Sequence, residues 1–135
     1  MGATNPAICM GQYSGFGTPI IDTDAEQTLL VAATAVSCGP LNLSYTTESV
    51  VTFILYSQQA TVYVSSSGST VRFFNNEYRM GFFDCLNLAQ RSYTETGLIT
   101  GAMTYGGECI SVAIAPGGST LFQTNPNFLQ YGFGY

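Results

Sequence analysis

Neutral-pH catalysis needs groups that move protons or attack carbon, chiefly histidine, lysine, thiols and carboxylates. This 135-residue chain has no histidine, and its three basic residues are all arginine: Arg72, Arg79 and Arg91. Every mechanism that requires histidine or lysine is therefore excluded. What remains are the acids Asp22, Asp24, Glu26, Glu48, Glu77, Asp84, Glu95 and Glu108, together with tyrosines, hydroxyls and four cysteines. Two carboxylates can run glycoside or peptide hydrolysis when their environments split their pKa values. None of these acids sits in a catalytic motif. Asp84-Cys85 and Glu108-Cys109 come nearest, because a bridge between the two sulfurs would bring the carboxylates together. Outside that case both acids read as solvated strand ends.

Asp22, Asp24 and Glu26 place acids at alternate positions, as a calcium loop does. The helix-loop-helix calcium pattern also requires glycine at position 6 and glutamate at position 12. Those positions hold Gln27 and Ala33. The motif fails, and the three acids remain a Ca²⁺ candidate only through added carbonyl ligands. Gly15-Phe16-Gly17 lacks the strand–turn–helix setting of a phosphate cradle. Asn42-Leu43-Ser44 matches the N-glycosylation acceptor pattern. The arginines lie beside Glu77, Asp84 and Glu95 in sequence, which predicts surface ion pairs on strands, with a subunit contact as the alternative use. No catalytic residue and no cofactor are expected.

Cys9, Cys38, Cys85 and Cys109 are separated by 28, 46 and 23 residues, without the paired spacing of a zinc knuckle. Two disulfides are predicted, in one of three connectivities, with locality favouring Cys9–Cys38 and Cys85–Cys109. Disulfides point to an oxidising compartment, although hyperthermophiles also carry them intracellularly. Residues 1–20 hold neither the positive charge nor the apolar stretch of a signal peptide. This predicts a start left by signal removal, or export by another route such as release within a virion. No apolar run is long enough for a membrane-spanning helix.

The elements that must position these groups read as strands. Val50 to Tyr56 is a β-branched and aromatic run suited to a strand buried on both faces. Ala60 to Ser65 alternates, and Ser57-Gln58-Gln59 between them predicts a hairpin. Further strands are predicted over 28–36, 41–47, 70–74, 79–88, 98–104, 109–115, 119–124 and 128–134. Turn signals such as Cys38-Gly39-Pro40 and Pro116-Gly117-Gly118 punctuate them. Asp24 to Val36 admits a helix as a rival, and so does 83–90. The pattern predicts one all-β domain over 1–135: an antiparallel β-sandwich of the jelly-roll or immunoglobulin-like kind, with about 8–10 short strands.

Two end segments, 1–20 and 128–135, are aromatic and glycine-spaced. Tyr13 and Phe16 mark the first, and Phe128, Tyr131, Phe133 and Tyr135 the second. Glycine permits close backbone approach, and stacked aromatics favour dry contacts, so these six residues are candidates for subunit contacts.

Only 8% of residues are charged and the net charge is −5, against about 25% charged residues in an ordinary soluble domain. Three arginines cannot track a phosphate backbone, so nucleic acid is excluded as a partner. Disorder is excluded by the 46% hydrophobic content. A β-protein with few charges and many edges lacks the usual defence against association. Its hydroxyl-rich strands, even cysteine count and scarcity of charge resemble secreted β-sandwich filament subunits joined by donor-strand exchange. That resemblance implies a non-enzymatic, extracellular or virion-surface subunit whose partner is itself, without membrane insertion. The alternative is a secreted carbohydrate-binding or adhesive module in which tyrosines stack on glycans, although the absence of tryptophan counts against it.

Overall fold

The computed structural model describes residues 12–30, 33–56, 63–75, 79–100, 106–119 and 121. It is all-β. Eight strands form among these residues: β1 (Ile20–Leu29), β2 (Ala35–Asn42), β3 (Glu48–Tyr56), β4 (Tyr63–Ser65), β5 (Thr70–Asn75), β6 (Met80–Leu88), β7 (Ser92–Ile99) and β8 (Gly107–Ala115). They build a five-stranded sheet in the order β1-β8-β3-β6-β5 and a three-stranded sheet in the order β2-β7-β4. Every pairing is antiparallel.

Register explains why β3 is apolar throughout. Thr52 lies opposite Phe83 and Ser111, and Ile54 opposite Gly81 and Cys109. These residues face the second sheet, and Thr52 and Ser111 satisfy each other through a 2.6 Å hydroxyl pair. Val51 and Phe53 point the other way, opposite Asp84 and Phe82 on β6 and Val112 and Ile110 on β8. Both faces of this central strand therefore need apolar side chains.

Between the sheets, Ile54, Tyr56, Phe83 and Cys109 pack with Val36, Cys38, Tyr63 and Ile99 from the three-stranded side. The Tyr63 and Phe83 rings stack with centroids 4.2 Å apart. Gly97 exists for this stack, since a Cβ there would run into the Tyr63 ring. A second cluster joins Leu41, Leu43 and Tyr93 to Val50 and Ala113.

Several expectations are corrected. One disulfide is present among the described residues, not two, and it joins Cys38 of β2 to Cys109 of β8 across the sandwich. Both local pairings therefore fail, because Cys38 and Cys109 partner each other and Cys85 is a free thiol. Cys9 lies outside the described residues. The bridge spans 71 residues of sequence. In the chain-entropy view a loop of that length is worth about 4 kcal/mol.

The hairpin expected between β3 and β4 does not form, since these strands belong to opposite sheets. The strand expected over 28–36 straddles a connection. β1 ends at Leu29, and β2 starts at Ala35 beyond the turn in which Ala33 N donates to the Leu30 carbonyl. Neither helical rival is realised in the described residues, because β1 covers 24–29, β2 begins at 35 and β6 covers 83–88. The strand expected over 41–47 is displaced to 35–42, and of that expected over 98–104 residues 98–99 end β7 while 101–104 lie outside the described residues. Of the last two predicted strands, only Ser119 and Leu121 are described, Leu121 in an isolated bridge with Tyr45.

Candidate functional site

Three carboxylates are buried, which the sequence did not announce, and each is held differently. Glu95 on β7 is 1% exposed. Its Oε1 accepts hydrogen bonds from Tyr63 Oη at 2.6 Å, Ser69 Oγ at 2.8 Å and Ser65 Oγ at 3.3 Å. Its Oε2 accepts from Tyr93 Oη at 2.6 Å. Four residues of two strands and one loop thus converge on one carboxylate, whose desolvation is offset by hydroxyl donors. Burial and the adjacent Glu95 charge hold both tyrosine hydroxyls well above the usual tyrosine range. Tyr56, whose hydroxyl donates to the Asn75 carbonyl, is pushed up to about 12 by burial. A carboxylate so saturated and enclosed has no lone pair to offer a substrate. Its role is to tie β4, the following serine loop and β7 together.

Asp84 on β6 is 2% exposed and faces away from the sandwich interior. Its Oδ2 accepts from Arg72 Nε at 2.7 Å and from Tyr13 Oη at 2.7 Å. The predicted pairing of an arginine with a neighbouring acid is thus found, but the acid is buried rather than solvated. The carboxylate raises the Arg72 pKa through that hydrogen bond and its charge. Glu108 is exposed on β8, separated from β6 by β3, so the two acids beside cysteines are not brought together.

Tyr13 and Phe16 belong to a strap that crosses the outer face of the five-stranded sheet. The Tyr13 ring meets Phe82 edge-on at 6.3 Å, and Phe82 stacks on Phe53 at 4.7 Å. Gly117 anchors the strap by donating to the Phe16 carbonyl at 2.8 Å, and a Cβ there would meet the Thr18 carbonyl oxygen at 2.6 Å. Two grooves flank it. One, of about 340 Å³, runs between the strap and Ile21 and Ile114; the other, of about 180 Å³, is bordered by Ser49, Leu86 and Pro116. Neither is lined by a carboxylate.

Beyond the strap this outer face stays open. Ile21, Leu55 and Ile110 are 68%, 52% and 38% exposed. Phe53, Val112 and Ile114 are half-buried between them. Exposed Asp24 and Glu26 border this stripe on β1, where they lie opposite Val112 and Ile110. An apolar centre with a charged rim is the composition of a protein interface.

The free strand edges differ sharply. β1 is guarded by those acids, β2 is broken by a bulge at the cis Gly39–Pro40 bond, and β4 has only three residues. β5 carries no acid, and its bulge between Val71 and Phe73 spans Arg72, whose charge is tied to Asp84. Of the four edges among the described residues, β5 is the one of more than three residues that carries neither an acid nor a proline.

The calcium candidates separate. Asp24 and Glu26 point to solvent, whereas Asp22 sits at a bulge of β1 and accepts from Ser44 N at 2.9 Å. No group of three or more metal-ligating side chains occurs among the described residues. Asn42 is exposed at the end of β2, where a glycan would be tolerated. Phe128, Tyr131, Phe133 and Tyr135 lie outside the described residues. No described helix is long and apolar enough to cross a membrane. No family model matches the chain, and neither the curated proteins nor the solved structures include a significantly similar one.

Proposed function

We propose that this chain is a non-enzymatic structural subunit that associates with copies of itself in an extracellular or virion-surface assembly. The observation that carries this reading is the open apolar stripe of the five-stranded sheet around Leu55 and Ile110. Leaving such a surface in water is costly, at roughly 25 cal/mol per Å² of apolar area. The unguarded β5 edge supplies a place for strand addition, and the aromatic end segments supply material to pack against the stripe. The inter-sheet disulfide suits an oxidising compartment.

A carbohydrate-binding module is favoured less. The Tyr13 ring is packed edge-on between Phe16 and Phe82, and its hydroxyl is taken by Asp84, so it presents no free platform to a sugar.

Sedimentation velocity at roughly 10 µM, a concentration at which a micromolar contact is substantially populated, tests the proposal. The parent chain is expected as oligomers or polymers. Leu55→Asp with Ile110→Asp is expected to sediment as a monomer with an unchanged unfolding midpoint. Leu98→Asp, on the three-stranded sheet, should leave assembly intact. A parent chain that stays monomeric, or a double variant that assembles normally, overturns the reading.

A further inference from the structure

Glu48, at the start of β3, is 0% exposed. Its Oε1 accepts from Tyr45 N at 2.7 Å, while Oε2 has no partner and no access to solvent. Asp22, at the bulge of β1, is held by the adjacent amide, as Ser44 N donates to its Oδ2 at 2.9 Å. Burial, and then the Asp22 charge, raise the Glu48 pKa. Two carboxyl groups are thus held by the amides of consecutive residues. An orphaned buried oxygen destabilises the fold, and more so when it carries charge.

The backbone shows what could relieve this. Ser44 N–H holds Asp22 Oδ2 and Tyr45 N–H holds Glu48 Oε1, so one oxygen of each carboxylate is fixed and Glu48 Oε2 is left over. Calcium sites orient their ligands in this way, with an outer contact fixing the inner oxygen. We propose that Asp22 and Glu48 form a binding site for a hard divalent cation of the Ca²⁺ class. Its remaining ligands come from carbonyls and hydroxyls of the 44–47 loop and from water. The ion neutralises both carboxylates and gives Glu48 Oε2 its missing partner. It also fixes the loop to which Leu121 bridges through Tyr45, the point where the aromatic carboxy-terminal segment leaves the described structure. Asp24 and Glu26 add negative potential from solvent and are not ligands. With only two carboxylates, affinity belongs in the 10⁻⁴–10⁻³ M range of extracellular modules.

The test uses the full chain with CaCl₂ in thermal unfolding and TbCl₃ in luminescence. Tyrosine sensitises terbium, and the chain has no tryptophan. A tenfold excess of Ca²⁺ over its Kd should shift the folding equilibrium about elevenfold. One Tb³⁺ should bind and be displaced by Ca²⁺. Asp22→Asn and Glu48→Gln should each remove the shift and the luminescence. Asp24→Asn should keep both. If Glu48→Gln fails to fold, the partly exposed Asp22→Asn alone decides. Binding that persists in Asp22→Asn, no response to either metal, or stabilisation by acid without any Ca²⁺ effect overturns the proposal.

Discussion

Alkaline pH should unfold this domain through three tyrosines, and the size of the effect follows from where they sit. Tyr56, Tyr63 and Tyr93 are each about 95% buried, and all three ionise in the folded state above the ordinary value of about 10. Their contribution to stability is intact below pH 10, where both states are protonated. Above it the unfolded chain releases protons that the folded chain retains, so stability falls as pH rises. At about pH 11 an unfolded tyrosine gains ~1.4 kcal/mol by ionising, so the three together remove about 4 kcal/mol. That is a large part of the 5–15 kcal/mol by which domains are stable. A pH titration followed by tyrosinate absorbance and by circular dichroism separates two kinds of tyrosine. The exposed ones should ionise near pH 10 with the β signal intact. Tyr56, Tyr63 and Tyr93 should ionise only in step with its loss, between about pH 11 and 12. Tyr63→Phe with Tyr93→Phe should flatten the alkaline limb while lowering stability at neutral pH. If all nine tyrosines ionise near pH 10 in a chain that keeps its fold, the burial argument and the Glu95 network are both wrong.

Reducing the Cys38–Cys109 bridge should cost about 4 kcal/mol of stability, read as the difference in denaturant midpoint with and without reductant. Cys85→Ser should leave that difference unchanged, since the Cys85 thiol takes no part in the bridge. Gly97→Ala should destabilise by about 1–3 kcal/mol, measured by thermal unfolding. Gly97→Ala with Tyr63→Leu should recover part of the loss, because the obstacle is the ring.

Strands whose side chains are apolar on both faces were legible in the sequence. β3, β5, β6 and β8 lie within about two residues of where the β-branched and aromatic runs put them. β7 was not, because its inward positions are Tyr93, Glu95, Gly97 and Ile99. A buried glutamate and a glycine erase the apolar alternation, and their reason for being inside lies on β4, some thirty residues away. β1 was obscured by its acids, which look like a helix start but occupy the outward rows of an edge strand. The cysteine pairing was out of reach for the same reason. Locality favours near neighbours in sequence, whereas β2 meets β8 only once both sheets exist. The buried acids left one trace. Asp84 directly follows Phe82 and Phe83, where a solvated charge has little reason to be.

The order of strands also sets a timetable for synthesis. β8 lies inside the five-stranded sheet, between β1 and β3, yet it is the last of the described strands to be made. Until it emerges, β1 and β3 have no neighbour joining them, and the half of the disulfide carried by Cys38 waits for Cys109. The nascent chain therefore cannot fold piecewise from its beginning. The β8-facing ladders of β1 and β3 stay open until residues 107–115 have been translated, during which other nascent copies can pair with them. A protein built this way stays open to mispairing for longer during its synthesis than its modest length suggests.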